Sequence, residues 1–264
     1  MIANAINQLN LTGKPVCIHA SLRSFGCHVD GLLEAFLDAG CTVMVPSFSD
    51  LYEAPPVPEL MPECNGAGDY SYFWEKEYAD AGMYSPATNE LTVEEMGIFP
   101  QMVLQFPERI RGNNALNSFA AVGPLAHALI DGQTNADVYA PLKALYDMDG
   151  YVLLMGTDLC SATAIHYAEQ LAGRAPFVRW AKGEAGDTVP VRAGGCSEGF
   201  EKLQPLLKPF EQQYRAGDSL WRVYRVRNLV DVCVSAFRAD PYIAHCDDPD
   251  CSRCNDAAKG GPKY

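Results

Sequence analysis

Apolar positions along the chain fall into short, separated runs, and each run predicts an element. Residues 1 to 14 read as a short helix and a glycine turn that lead into a first strand, Val16 to Ala20. A helix from Gly31 to Ala39 and a second strand, Cys41 to Pro46, follow. A strand, a helix and a strand in succession imply a parallel pair with a right-handed crossover. Tyr151 to Met155 is another apolar run, rich in aromatic and branched side chains, broken by Gly156-Thr157-Asp158. Ala162 to Arg174 has helical composition ending at Gly173. Glu94 to Phe106 reads as a helix stopped by Pro107, and Phe119 to Ile130 as an apolar stretch bent at Gly123-Pro124. Phe177 to Ala181 and Thr188 to Arg192 read as strands, and Phe200 to Tyr214 is amphipathic despite Pro205 and Pro209. Ser219 to Cys233 mixes both periodicities. Together these predict an α/β fold: a single α/β/α domain around a central mixed, largely parallel sheet, with no internal repeat and no interdomain linker.

One segment departs from this rhythm. Leu51 to Thr92 carries prolines at 55, 56, 58, 62 and 86, a dense set of aromatic residues and acids throughout. It is expected to be an inserted lid, in which acids such as Asp69 and Glu75, with Ser47 at the carboxyl end of the second strand, bind a polar cationic ligand.

Composition narrows the class. The 264 residues carry a formal net charge of -13 with 48% hydrophobic residues, which argues against a nucleic-acid partner and is compatible with solubility or with attraction of a cation. No run approaches the ~20 apolar residues of a membrane helix, and the N-terminus lacks a basic segment leading into an apolar one, so the expected compartment is the cytoplasm. The ten cysteines are scattered through apolar segments, which suggests reduced core residues. The tail differs: Cys246, Cys251 and Cys254 follow a C-x4-C-x2-C pattern on a turn-rich stretch. Three thiolates so spaced suit zinc, with His245, Cys233 or water as the fourth ligand.

Candidate chemistry centres on His166, about one turn into a helix that follows a strand. Glu169 lies three residues on, so its carboxylate can reach the imidazole and orient it as a general base. The loop His19-Ala20-Ser21-Leu22-Arg23-Ser24-Phe25-Gly26, after the first strand and before a helix, has the hydroxyls, the arginine and the placement of an anion site.

Four stretches taken together, HASLRSFG, VMVPSF, RGNNALNSFAAVGP and LLMGTDLCSATAIHYAE, resemble the aminoglycoside 3-N-acetyltransferase family, from about residue 15 to 210. The resemblance implies transfer of acetyl from acetyl-CoA to an antibiotic amine. It implies that the loop from His19 through Ser21, Leu22, Arg23, Ser24 and Phe25 cradles CoA, that Arg111, Asn114 and Ser118 lie against the cofactor, and that His166 is the catalytic histidine with Glu169 the acid behind it. Two departures stand out. Asn114-Ala115 replaces the family's His-Pro, and Gly194 to Phe200 stands where many drug-modifying members are acidic. A CoA-binding module without turnover and an acyltransferase for a biosynthetic amine are the competing readings.

Overall fold

The computed structural model describes residues 1–25, 31–92 and 96–263. Gly26, at the end of the expected anion loop, and Glu94, at the start of an expected helix, lie outside them.

The strands in chain order are β1 (Pro15–Ala20), β2 (Thr42–Pro46), β3 (Ile110–Arg111), β4 (Phe119–Val122), β5 (Tyr151–Met155), β6 (Phe177–Lys182), β7 (Thr188–Ala193), β8 (Gln212–Ala216) and β9 (Ser219–Arg225). Seven of them form one sheet in the order β3-β4-β2-β1-β5-β9-β8. β1 lies parallel to β2 and to β5, with Val16 opposite both Val43 and Tyr151. Every other pairing in the sheet is antiparallel. The sheet is mixed as expected, but its parallel share is confined to the three central strands. β8 and β9 are joined by a tight turn, which permits only antiparallel pairing, whereas β4 and β9 reach β2 and β5 through long intervening segments.

Alternation along the strands explains their uninterrupted hydrophobicity. Tyr151, Leu153 and Met155 face one core together with helices α1 (Ile2–Gln8), α2 (Leu32–Asp38) and α3 (Ile98–Gln105). Val152 and Leu154 face the other, with α4 (Ala126–Ile130), α5 (Ala140–Asp147), α6 (Ala164–Leu171) and α7 (Val226–Ala239). A strand covered on both faces has no polar side to show.

Several boundaries differ from expectation. Phe200 to Tyr214 is not one helix: it breaks into a 3-10 turn, the four-residue helix Gln204–Leu207, a second turn and then β8. Pro205 and Pro209 withdraw two backbone donors and restrict the residues before them, which prevents a continuous helix. Ser219 to Cys233 resolves into β9 running directly into α7.

β6 and β7 form a hairpin outside the main sheet. The 51–92 insertion packs on it. Ala54 and Phe73 meet Val178 and Trp180 in one satellite core, and Tyr52 and Tyr84 meet Ala181 and Val191 in another. Arg111 then ties the insertion to the sheet, donating to the carbonyls of Thr88 (3.0 Å), Glu90 (2.9 Å) and Ser47 (2.8 Å). The segment expected as a lid is thus a packed annex whose buried aromatic side chains supply a hydrophobic surface to the hairpin.

Candidate active site

The carboxyl ends of β1, β2 and β5 open onto a cavity of about 920 Å³. Open α/β sheets bind ligands at this edge. His19 to Arg23 form one wall, Pro46 and Phe48 a second, and Thr157, Cys160, Ser161 and Thr163 a third. Gly194, Gly195, Ser197 and Arg253 line the cavity further, together with Asn117, Tyr139 and His166.

The local sequence explains why the β1 wall stands where it does. Gly156 ends β5 with φ +67°, and a Cβ there would fall 1.8 Å from Ser24 Oγ. Only glycine lets the loop come that close. Ser24 Oγ donates its one proton to Ser21 O (2.7 Å) and can accept from Ser219 Oγ (2.8 Å), pinning the loop to β9. Ser21, Leu22 and Arg23 consequently face the cavity, whereas Ser24 is spent on the scaffold and Phe25 is buried against Trp221.

His166 and Glu169 lie on one face of α6, and Glu169 Oε2 sits 2.7 Å from His166 Nδ1. The other carboxylate oxygen accepts from Arg174 Nη1 at 2.8 Å. All three side chains are nearly buried, at 10%, 12% and 11% exposure. With Nδ1 facing the carboxylate, Nε2 is left as the nitrogen able to accept a proton. A Cβ at position 194 would stand 3.6 Å from Nε2. Glycine there keeps the nitrogen accessible. Tyr139 lies parallel to the imidazole with centroids 6.3 Å apart, and Phe200 meets it edge-on at 4.7 Å, so two aromatic rings restrict its orientation.

His19 also borders the cavity. Burial lowers its pKa to about 4, so it is a neutral imidazole at physiological pH. Burial pushes the Cys160 thiol upward, which leaves it protonated and a poor nucleophile. Thr157 Oγ1 is buried at the cavity edge with no hydrogen-bond partner among the described residues.

The remaining expected contacts are not brought to the cavity. Arg111 spends Nε on Ser118 Oγ (3.1 Å), Nη1 on Thr88 O and Oγ1, and Nη2 on Ser47 O and Glu90 O. All five N–H groups are then occupied. Ser118 and Ser47 bond each other, and Asn114 bridges the carbonyls of Thr134 and Arg192 while accepting from the amides of Leu116 and Asn117. These four buried side chains hold the loops that frame the site and do not line it. Asp69 accepts from Ser71 N and Oγ at the start of the short helix Ser71–Glu75. It and Glu75 lie in the annex, away from the cavity. Sequence reasoning missed Asn117, whose Oδ1 accepts from Gly194 N at 2.9 Å and so fixes the glycine beside His166. It also missed Tyr139, Arg174 and Arg253. Asn117 lies inside the RGNNALNSF stretch; the other three carry no local pattern.

The family model described as aminoglycoside 3-N-acetyltransferase matches residues 17–238. The chain belongs to that family. Among its curated relatives, aminoglycoside N(3)-acetyltransferase III of a Salmonella species is 31% identical over 188 residues, 68% of this chain and 62% of that protein. Aminoglycoside N(3)-acetyltransferase VIII of Streptomyces fradiae is 29% identical over 191 residues, 69% of this chain and 62% of that protein. The alignments therefore span a little under two thirds of these relatives. The crystal structure of aminoglycoside acetyltransferase AAC(3)-IVa superposes with a TM-score of 0.74 at 24% identity, covering 98% of this chain and 95% of that one. The Bacillus subtilis YokD structure gives 0.68 at 26% identity, covering 90% and 98%. Family members thus share this α/β sheet, and no helix among the described residues is long and apolar enough to cross a membrane.

Proposed function

We propose that this protein transfers acetyl from acetyl-CoA to an amine of an aminoglycoside by direct, base-assisted attack. The observation that carries the reading is His166, with Nδ1 held by the Glu169–Arg174 pair and its side chain lining a large cavity. An aminoglycoside amine is largely protonated at pH 7 and must first lose one proton to solvent. As the neutral nitrogen attacks the thioester carbonyl and the C–N bond forms, Nε2 takes the second proton. Glu169 stabilises the resulting imidazolium. When the tetrahedral intermediate collapses and the C–S bond breaks, the imidazolium returns that proton to the CoA sulfur. No acyl-enzyme is needed.

At the mouth, Arg23 and Arg253 suit the phosphates of CoA, and the cavity lining holds no carboxylate among the described residues. The backbone amides of Ser21 and Ser47 are already engaged and give the oxyanion no donor: Ser21 N donates to Met155 O and Ser47 N to Ser118 O. Thr157 Oγ1, buried at the cavity edge with no partner among the described residues, is a hydroxyl left free to donate to the oxyanion. The aminoglycoside acceptor is supported by the relatives, since AAC(3)-IVa has been solved in complex with a gentamicin and with apramycin. Asn114-Ala115 gives little support to a silent CoA-binding module, because Asn114 is used within the scaffold. The test is thiol release from acetyl-CoA across a panel of aminoglycosides and simple polyamines. Turnover with an aminoglycoside that is abolished in His166→Ala is expected, whereas CoA binding without turnover on any amine would overturn the reading.

A further inference from the structure

Four cysteine sulfurs converge outside the catalytic cavity. Those of Cys196, Cys246, Cys251 and Cys254 all lie within 4.8 Å of one another. Three come from the tail, and the fourth from the Gly194 to Phe200 stretch, about fifty residues earlier. Two disulfides would need only two close pairs, each near 2.05 Å. Four sulfurs around one point is instead the arrangement of a tetrahedral ion, where Zn–S bonds of about 2.3 Å place the sulfurs about 3.8 Å apart. Small side-chain rotations reach that spacing. The amide of Cys246 donates to Cys254 Sγ at 3.5 Å, a bond that strengthens when the sulfur is a thiolate. The alternative fourth ligands are excluded by position. Neither ring nitrogen of His245 is part of the cluster, and Cys233 lies on α7 with its side chain in the core.

We propose that these four cysteines bind one structural zinc ion, and that the ion builds a wall of the catalytic cavity. An all-thiolate tetrahedral set with no open position selects zinc over harder divalent ions. Binding releases the thiol protons, and because Cys196 and the tail cysteines meet only when the tail packs on the body, metal binding and tail docking are coupled. Its placement gives the ion a consequence for catalysis. Cys196 lies between Gly195 and Ser197, and Cys254 follows Arg253, and all three neighbours line the cavity. The tail helix that carries Cys254 and begins just after Cys251, α8 (Ser252–Ala258), is seven residues long, too short to persist by itself. Zinc would hold α8 against the segment that places Gly194 next to His166, and so present Arg253 to the ligand.

The site is testable whether or not the acetyl-transfer reading holds. Full-length protein purified without added metal should contain about one zinc per chain by plasma mass spectrometry. Titration with an organic mercurial in the presence of a chromogenic chelator should release that zinc as about four thiols react. Cys196→Ser should lose most of the metal, and His245→Ala should retain it. Because losing a ligand can also impair folding, wild-type protein is stripped with a strong chelator as well, and its melting temperature should fall by about 5 °C or more. Metal-free protein with the tail cysteines paired as disulfides in intact-mass spectra would overturn the proposal, as would stoichiometric iron. Full zinc retention in Cys196→Ser would overturn the ligand set.

Discussion

Replacing Glu169 by Gln keeps the shape of the side chain and removes its charge, which makes it the sharpest probe of the His166 assignment. The carboxylate serves two donors at once, His166 Nδ1 at 2.7 Å and Arg174 Nη1 at 2.8 Å. A carboxamide has a single acceptor oxygen. One of the two partners must then face an NH2 group. If the oxygen stays with His166, the loss is that of a charge-assisted bond to the imidazolium, about 1.5–3 kcal/mol, or roughly 10–150-fold in kcat. If the NH2 turns toward His166, Nδ1 must accept and the ring proton moves to Nε2, the nitrogen required as base. Wrong-tautomer losses of that kind reach about 10⁴-fold in serine proteases. A drop in kcat of at least about tenfold is therefore expected, with the KM for acetyl-CoA nearly unchanged because neither Glu169 nor Arg174 lines the cavity. Stability in urea should fall by about 1–3 kcal/mol as a buried donor loses its partner. Initial rates at saturating amine, KM for the donor and urea midpoints decide it. A folded variant that keeps kcat within about twofold would refute the role given to Glu169.

The other expectations concern the scaffold around that pair. Arg111→Ala should lower unfolding stability by about 3 kcal/mol or more, since several carbonyls lose a charged donor, while calorimetric CoA affinity in the folded fraction stays within about threefold; a selective loss of CoA binding would restore Arg111 as a cofactor ligand. Gly194→Val places methyl groups against Tyr139 Oη and His166 Nε2, where even a Cβ stands 3.2 Å and 3.6 Å away, and should cut kcat/KM by about tenfold or more without unfolding the protein, as circular dichroism would verify. Asp69→Asn with Glu75→Gln should leave the KM for a cationic amine and its salt dependence unchanged, because both acids lie in the annex; a raised KM would return them to the substrate site. His19 is depressed from 6.5 to about 4 by burial, so the unfolded chain binds the extra proton. Its contribution is intact above the unfolded value and is lost as pH falls from 6.5 toward 4, by roughly 3 kcal/mol in all. His19→Gln should flatten the urea stability curve in that window, and an unchanged slope would contradict the burial argument.

What is local in this protein was legible along the chain. Val16 to Ala20, Cys41 to Pro46 and Tyr151 to Met155 read as strands from their short, branched and apolar runs between turn signals, and the structure covers them on both faces. His166 and Glu169 could be paired on paper because three residues along a helix is a fixed distance. The sheet order could not be read in this way: β5 comes to lie beside β1, and β9 beside β5, through contacts between segments far apart in the chain. The same holds for the polar residues of RGNNALNSF. Their pattern marked them as important, but whether Arg111 faced a phosphate or the carbonyls of Thr88, Glu90 and Ser47 depended on where the 51–92 insertion came to rest. That insertion looked like a lid because its aromatic and acidic composition fits a cation, and composition carries no direction; packing on β6 and β7 turned Tyr52, Phe73 and Tyr84 inward. Three tail cysteines were legible from their spacing, and the fourth was not, since Cys196 reaches them only because the tail folds back on the loop beside His166. Contacts within a turn or two of helix are fixed by backbone geometry, whereas contacts between distant segments are fixed by which surfaces exclude water together, and only the assembled fold decides that.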